Sequence, residues 1–369
     1  MTRPSRPSPT PRPGPAPVSP VQAEALRSRT LPPVEEVRHG VWSLSFAFGH
    51  GIDDHSFGYL VEGSDGRLAI IDPGWHGADN LERLGAALAT IDHELSDIDL
   101  IVVTHLHVDH LGGADDLRRA SGARLAMHAA EERALDTRDA DAEAADADVD
   151  RWGVPGDERD ALVAAWGSGR RLLSVEPDLL LADGDVLPIA GRRLTVVHTP
   201  GHTSGHLCFV EPDQRLVFTG DHVLPRINPG IGLGGRTAAN PLDDYLASLD
   251  RVSALDQEGA DALEVCPGHE YRFTGLTERA EALVAHRADR TDDAVRALDG
   301  LLAGDAGAEP GSGSGPASAP AAPTVWQVAE RMTGWRGGLR SMSGYVLGSA
   351  LAQTEWHLRG AGRAGDLAG

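Results

Sequence analysis

The segment Thr104 to His110, Thr-His-Leu-His-Val-Asp-His, places three histidines and one aspartate within six residues. It follows an apolar run that predicts a buried strand, and a Gly-Gly pair comes soon after it. Alternate residues of an extended segment point to the same side, so His105 and His107 can bind one ion together. The turn that follows can direct Asp109 and His110 towards a second position. Imidazole and carboxylate ligands without a thiolate favour zinc, with iron or manganese as alternatives.

Three further candidate ligands lie in separate loops, and each follows an apolar strand-like run and has a glycine beside it. They are His202 in Thr-Pro-Gly-His, Asp221 in Thr-Gly-Asp-His and His269 in Pro-Gly-His-Glu. Glycine lets the backbone turn sharply and approach a site closely. Any one of these residues alone would more often belong to a simple turn. Four loops that share a strand, a glycine and a ligand side chain indicate a metal centre.

With Asp72 in Ile-Asp-Pro-Gly, these motifs resemble the metallo-β-lactamase-fold hydrolases of the glyoxalase II type, over roughly residues 38 to 290. The resemblance implies an α/β fold, an αββα sandwich of two mixed sheets with outer helices. It also implies two divalent metal ions, with zinc favoured and iron or manganese as alternatives. The implied ligands are His105, His107 and His202 for one ion, Asp109, His110 and His269 for the other, and Asp221 as a bridge between them.

The resemblance assigns further roles around these ligands. Two metal ions would turn a bridging water into hydroxide, and Asp109 would be catalytic because it orients that nucleophile and relays its proton. Asp72 would orient the loop of ligands, and we expect a similar role for His222, which directly follows Asp221. His55, in an early loop, and Tyr271, after Gly-His-Glu, are weaker candidates for substrate contacts.

The strand and helix predictions follow the alternation of apolar residues along the chain. We predict strands at 41–47, 58–63, 67–72, 98–103, 123–127, 179–181, 193–197, 206–210, 216–219 and 262–265, and helices at 80–89, 113–120 and 276–302.

Composition divides the chain into three regions. Residues 1–36 are rich in proline and predict a disordered tail. Residues 37–275 form the predicted catalytic domain, in which about 131–170 is an acidic helical insertion, either on the solvated surface or as a cap over the site. Residues 276–369 are mainly helical and resemble the winged-helix-like C-terminal region of some family members. Residues 303–323, almost wholly Gly, Ala, Pro and Ser, predict a flexible linker inside that region.

The formal net charge of -22 disfavours non-specific binding of nucleic acid. We find neither an apolar run long enough to span a membrane nor the apolar core of a signal peptide, so a cytoplasmic protein that acts on a small molecule is expected. A homodimer is possible. The two cysteines, Cys208 and Cys266, lie in apolar runs and have no recognisable context for a nucleophile.

Hydrolysis of a thioester, ester or lactone is therefore the leading hypothesis for function. A metal-dependent nuclease or phosphodiesterase is one alternative, since some relatives with a winged helix cut RNA. A mononuclear iron dioxygenase acting on persulfides is another, since it shares much of the ligand pattern. A purely structural metal site is disfavoured because such sites are normally single and closed, and seven ligands exceed that need.

Overall fold

The computed structural model describes residues 14–47, 55–168, 175–256, 262–304, 322–335 and 337–368. Within these ranges, seven strands form the first sheet, in the same order in space as in the chain. The first four strands pair antiparallel, and the fourth to the seventh pair parallel. The strands are β1 (Glu35–Arg38), β2 (Val41–Ala47), β3 (His55–Glu62), β4 (Leu68–Ile71), β5 (Ile98–Val102), β6 (Arg124–His128) and β7 (Leu179–Leu181).

Four strands form the second sheet, in the order β11-β10-β9-β8. β8 and β9 pair antiparallel, as do β9 and β10, whereas β10 and β11 pair parallel. Both sheets are therefore mixed, as predicted. The strands are β8 (Thr195–His198), β9 (Leu207–Glu211), β10 (Leu216–Gly220) and β11 (Glu264–Pro267).

The helices of the described residues cover the outer faces of the sheets and form the C-terminal region. They are α1 (Pro20–Ser28), α2 (Ala78–Ala89), α3 (Val108–Leu111), α4 (Ala114–Ser121), α5 (Ala129–Arg151), α6 (Gly156–Ser168), α7 (Pro241–Leu255), α8 (Leu276–Leu302), α9 (Val325–Arg331) and α10 (Gly344–Gly360). Single turns of 3-10 helix occur at Leu95–Asp97, Leu339–Ser341 and Ala364–Asp366.

The two faces of each sheet pack in different layers of the fold, because successive side chains of a strand point to opposite faces. In β4, Ala69 and Ile71 pack in the core between the two sheets, together with Phe209 and Phe218 of the second sheet. Their neighbour Ile70 faces the other way and packs in a second core with residues of α2 and α4. A third core joins the outer face of the second sheet to α7 and α8. The αββα sandwich predicted from the sequence is confirmed.

The N-terminal region differs from the predicted disordered tail. Residues 1–13 lie outside the described residues, but α1 and β1 occupy part of the 1–36 segment. Ser19 caps α1 by accepting a hydrogen bond from Gln22 N, and Pro20 fits the first helical turn, where no amide donor is needed. The buried Gln22 side chain donates to Ser43 Oγ at 3.1 Å and accepts from Arg272 N at 2.9 Å. A short capping signal and these buried contacts outweighed the proline-rich composition, so the prediction is wrong for this part.

The C-terminal region is helical, as expected, and shares a core with the acidic insertion. Trp152 at the end of α5 packs with Trp326 of α9 and Leu351 of α10. The described residues after 276 contain no strand, so the predicted winged helix is not confirmed. Most of the predicted linker, residues 305–321, lies outside the described residues. The domain boundaries at 37, 275 and 276 remain a proposal.

No helix among the described residues combines the length and apolar composition that crossing a membrane requires.

Candidate metal centre

The predicted ligands meet at one edge of the sandwich because each ligand loop follows the carboxyl end of a strand. β4 and β5 run parallel in the first sheet, and β10 and β11 run parallel in the second, so their carboxyl ends share an edge. The loops after β5, β8, β10 and β11 bring together His105, His107, Asp109, His110, His202, Asp221 and His269.

Three of these residues, His105, His107 and His202, form what we call the three-histidine group. His105 Nε2 lies 3.0 Å from His107 Nδ1, and His202 Nε2 lies 3.1 Å from the same nitrogen. Their inner ring nitrogens thus converge on one point. Asp221 Oδ2 is the carboxylate oxygen beside them, 3.7 Å from His202 Nε2.

Asp109, His110 and His269 form a second cluster, which we call the Asp109 group. Asp109 Oδ2 lies 3.3 Å from His269 Nε2 and 3.6 Å from His110 Nε2. Asp221 Oδ1 lies 3.3 Å from His269 Nε2 and 3.4 Å from His110 Nε2. The two carboxylate oxygens of Asp221 therefore face different groups, which is the arrangement of a bridging ligand.

Each ligand histidine has an inner ring nitrogen, which faces the other ligands, and an outer one, which faces away from them. The hydrogen-bond partners of the outer nitrogens show which ring nitrogens carry protons. His202 Nδ1 lies 2.7 Å from the carbonyl oxygen of Gly230, and His107 Nε2 lies 3.1 Å from that of Leu233. A carbonyl oxygen can only accept, so both outer nitrogens donate. Since a neutral imidazole has one proton, the inner nitrogens of both rings present lone pairs.

The histidines of the Asp109 group follow the same rule. His110 Nδ1 lies 2.8 Å from Asp72 Oδ2, and His269 Nδ1 lies 3.1 Å from the carbonyl oxygen of His55. Both outer nitrogens therefore donate. The inner Nε2 atoms of these rings are the ones directed at the carboxylates of Asp109 and Asp221.

Asp72 is an outer partner of two ligands. Its Oδ1 accepts from Thr104 N and its Oδ2 from Thr104 Oγ1, both at 2.7 Å. Because the Thr104 hydroxyl gives its only proton to Asp72, it accepts from His105 Nδ1 at 3.0 Å. Asp72 has a φ of 56°, in the left-handed region that few residues other than glycine adopt. It thus orients His110 directly and His105 through Thr104.

The two groups differ in electrostatics. In the three-histidine group, burial lowers the pKa of His202 to about 4, and neighbouring histidines add to the effect of burial in lowering the pKa of His105. In the Asp109 group, burial alone would lower the pKa of His110, but nearby carboxylates, with Asp109 first, raise it to about 9. The carboxylates also raise the pKa of His269 well above its usual value. The second group therefore attracts positive charge.

The donor set fits divalent metal ions. His110 Nε2 and Asp221 Oδ1 are buried and have no hydrogen-bond partner within the described part of the chain. Tetrahedral coordination with bonds of about 2.0–2.1 Å separates ligand atoms by about 3.3 Å. The ligand atoms quoted above lie on both sides of that value, and within each group they all lie within 4.8 Å of one another. Histidine and carboxylate without thiolate suit zinc, iron or manganese.

The structure places His222 differently from the sequence prediction. Its ring is fully buried against Tyr245, with 5.0 Å between ring centroids, and we find no hydrogen bond from either ring nitrogen to a predicted ligand among the described residues. His206 contacts Asp221 instead, since its Nε2 accepts from Asp221 N at 3.2 Å. Thr199 Oγ1, 2.9 Å away, is the partner of its Nδ1. Of these two histidines, it is therefore His206, and not His222, that lies in position to orient Asp221.

The two weaker candidates for substrate contacts are used within the fold. The His55 side chain is buried edge-on against Phe57, and its carbonyl oxygen is the acceptor for His269. Tyr271 is 6% exposed, and its hydroxyl donates to the carbonyl oxygen of Pro15 at 3.0 Å. The N-terminal segment that covers Tyr271 was predicted to be disordered, so this contact was not expected. Neither side chain has structural support as a substrate contact.

Comparison with known families agrees with this geometry. The family model for the metallo-beta-lactamase superfamily matches residues 51–269, which is more than half of the chain and includes every candidate ligand. Among solved structures, a metallo-beta-lactamase family protein from Thermus thermophilus is 26% identical, with a TM-score of 0.66. That match covers 89% of this chain and 95% of the other.

Two curated relatives are enzymes. The acyl-coenzyme A thioesterase MBLAC2 of Homo sapiens is 33% identical over 174 residues, which is 46% of this chain and 55% of the relative. The chain thus spans about half the length of that protein. A hydroxyacylglutathione hydrolase of Cereibacter sphaeroides is 26% identical over 238 residues, which is 63% of this chain and 71% of the relative.

Proposed function

The chain belongs to the metallo-beta-lactamase superfamily of hydrolases, and we propose that it hydrolyses thioesters at a centre of two divalent metal ions. The three-histidine group and Asp221 Oδ2 would hold one ion. The Asp109 group and Asp221 Oδ1 would hold the other. Zinc is the expected metal, because the donors are imidazole and carboxylate.

One observation carries the proposal of metal binding. The outer nitrogens of all five histidines face hydrogen-bond acceptors, and the inner nitrogens all converge on Asp221 or on one another. Buried lone pairs that face each other repel unless a cation or proton lies between them. Two ions, each also bound by one oxygen of Asp221, would give the lone pair of every inner nitrogen a cation to face.

When bound, two such ions supply Lewis acidity and a water that ionises near neutral pH. The protein's own contribution begins with Asp109. Although burial opposes ionisation, the positive charges of His110 and His269 hold the pKa of Asp109 well below its usual value in the metal-free protein, so this carboxylate is ionised at neutral pH. A bound cation would replace those charges and keep the carboxylate ionised. Its side chain is 20% exposed, compared with 12% for Asp221. Asp109 is therefore the more accessible carboxylate for taking the proton of the attacking water.

Hydrolysis at this centre requires no covalent intermediate on the protein. Water adds to the thioester carbonyl carbon, the carbon–sulfur bond breaks, and a carboxylic acid and a thiol are released. The described cysteines do not compete as nucleophiles, because burial raises the pKa of Cys208 to about 12 and also raises that of Cys266. Both thiols are fully buried.

The thioester assignment is supported by the relatives, since the names of both describe hydrolysis of acyl groups carried on a thiol compound. A direct assay follows thiol release from an acyl-coenzyme A and an acyl-glutathione by the zinc-loaded protein. An oxygen ester, a lactone and RNA serve as comparison substrates. We expect thiol release from at least one thioester, and loss of that activity in His107→Ala.

The matched control is His39→Ala, because the His39 side chain is 98% exposed and far from the ligand set in sequence. It should keep the wild-type rate. Absence of thiol release by protein that holds two metal ions would contradict the thioester assignment. One iron per chain with oxygen uptake would contradict the hydrolase reaction itself.

A further inference from the structure

The two loops of the three-histidine group are joined by a buried carboxylate that the mechanism does not use. We propose that Glu131, in the first turn of α5, is a positioning residue that fixes His105 and His107 relative to His202. This role rests on the proposed function, because it matters only if these histidines bind a metal. Glu131 is 0% exposed.

The contacts of Glu131 are specific to the two ligand loops. Its Oε2 accepts from Leu106 N at 2.7 Å, and its Oε1 accepts from Gly205 N at 2.6 Å. Leu106 is the residue between His105 and His107, and Gly205 follows His202 by three positions. One planar carboxylate therefore links a loop after β5, in the first sheet, to a loop after β8, in the second.

The position of Glu131 in the first turn of α5 does not explain why this residue is a glutamate. A glutamate in a first turn commonly stabilises its own helix by capping or by its charge. The side-chain cap of α5 is instead His128, whose Nδ1 accepts from Ala130 N at 3.1 Å. The carboxylate of Glu131 accepts from loops distant in sequence, so its role lies in tertiary structure.

Burial of this carboxylate costs free energy, so we expect the carboxylate to have a specific structural role. Burial raises the pKa of Glu131 to about 7, against the lowering effect of its hydrogen bonds with the backbone amides of Leu106 and Gly205. An apolar side chain of similar size would fill the same space without that cost. It could not accept from the backbone amides of Leu106 and Gly205, and the Gly205 amide would then be buried without this partner.

A substitution at Gly205 tests the same contact between Glu131 and the loop of His202 without changing Glu131 itself. A Cβ atom at Gly205 would lie 2.6 Å from Glu131 Oε1 and 2.8 Å from both Glu131 Cγ and Glu131 N, closer than real Cβ atoms approach. Gly205→Ala therefore pushes the whole of Glu131, backbone and carboxylate, away from the loop of His202 without removing the carboxylate. Glu132→Gln is the matched control, because Glu132 is the next residue of the same turn and is partly exposed.

The test compares zinc affinity, by competition with a chelator, in wild type and four variants: Glu131→Ala, Glu131→Gln, Gly205→Ala and Glu132→Gln. The unfolding temperature of each metal-free protein is measured alongside. Loss of an outer partner of this kind weakens metal binding by about 10–100-fold. We expect that loss for one of the two ions in Glu131→Ala, a smaller loss in Glu131→Gln, which keeps one acceptor, and no change in Glu132→Gln.

Cobalt substitution provides a second readout, because the visible spectrum of bound Co²⁺ reports ligand geometry. We expect an altered spectrum in Glu131→Ala and in Gly205→Ala. Wild-type affinities and spectra in folded Glu131→Ala would overturn the positioning role, even if the metal-free protein unfolds at a lower temperature. If Glu131→Ala does not fold, Glu131→Gln and Gly205→Ala decide by the same criteria. A wild-type protein that binds no metal contradicts the proposed function, and the role falls with it.

Discussion

The two halves of the centre have the same kind of ligand but opposite electrostatic character. In the three-histidine group, burial lowers the pKa of each histidine, and His202 falls to about 4. In the Asp109 group, the carboxylates of Asp109, Asp221 and Asp72 raise the pKa of His110 to about 9. The first group is therefore neutral without a metal, whereas the second holds protons. Metal binding must displace protons mainly from the second group.

The halves also differ in what supports them. The outer partners of the Asp109 group are Asp72 and the backbone of His55, and both lie at ends of strands in the first sheet. The outer partners of the three-histidine group include Gly230 and Leu233, in a connection between β10 and α7. The first of these groups is thus supported by the sheet itself, whereas His107 and His202 of the other group depend on a long loop.

That loop is held in turn by the C-terminal helices. Arg287 of α8 donates to the carbonyl oxygen of Pro229, next to the acceptor of His202. Arg279 of the same helix donates to the carbonyl oxygens of Leu224 at 2.6 Å and Ile227 at 2.7 Å. Helix α8 therefore holds the loop behind one half of the centre without supplying a ligand.

The largest effect should come from the residue that both halves share. Asp221→Asn removes the charge and one oxygen of the bridge, so we expect thiol release to fall more than about 100-fold, beyond the usual effect of an outer partner. Metal analysis should show loss of at least one ion per chain. Retention of both ions and of activity would contradict the bridging role.

Asp72→Asn should affect the two halves unequally. Asparagine tolerates the left-handed backbone at this position, so the fold is kept. The amide cannot accept from His110 and both donors of Thr104 as the carboxylate does, and we expect a loss of about 10–100-fold in metal affinity. The ion of the Asp109 group should be lost first in a chelator titration. An equal loss at both sites would weaken the distinction between the halves.

Arg287→Met tests the long-range support of the three-histidine group. The substitution keeps much of the side-chain volume and removes the donor to Pro229, so the loop that carries Gly230 loosens. We expect a loss of about 10-fold in affinity for one ion, at the lower end for outer partners. Arg296→Met, on an exposed face of the same helix, is the control and should bind as wild type does. Identical affinity in Arg287→Met would show that α8 does not support the site.

The smallest effect is a dependence of stability on pH in the metal-free protein. The pKa of folded His110, about 9, exceeds its unfolded value of 6.5, so its contribution is full below pH 6.5 and is lost as pH rises through 9. His202 acts oppositely, since its folded pKa of about 4 gives a contribution that is present above pH 6.5 and lost as pH falls towards 4.

These opposite signs predict an unfolding temperature that falls by a few degrees on both sides of about pH 6.5 when a chelator is present. Bound zinc replaces the protons of the Asp109 group, so the alkaline fall should be smaller in the zinc-loaded protein. Thermal unfolding from about pH 5 to about pH 9.5, with and without zinc, measures both limbs. An unfolding temperature that rises steadily from neutral to alkaline pH without metal would contradict the electrostatic contrast.

The residues that meet at the candidate centre could be predicted because each lies in a short, recognisable sequence pattern. A strand, a glycine and a histidine or aspartate occur together in sequence at His105, His202, Asp221 and His269. Parallel strand ends then bring such signals to one edge. The αββα layers were predictable for the same reason, since alternation of apolar residues is local.

Apart from Asp72, which the family resemblance indicated, the supporting residues could not be predicted, because their partners are distant in sequence. Glu131 lies in a run of acidic residues where its neighbours are solvated, and only the fold directs it towards Leu106 and Gly205. The sequence prediction named His222, which adjoins Asp221 in sequence but packs against Tyr245, whereas His206, which contacts Asp221 N, lies 15 residues away in sequence. The helix at Pro20–Ser28 depends on Ser43 and Arg272, which lie 21 and 250 residues from Gln22 in sequence.

Whether the centre holds two metal ions can be measured as the metal content per chain. The protein is purified without chelators and its metals are counted by mass spectrometry against the protein concentration. We expect two divalent ions per chain, with zinc dominant, and fewer in Asp221→Asn. A wild-type protein that holds one ion or none, after incubation with excess zinc and removal of unbound metal, would contradict a centre of two metal ions.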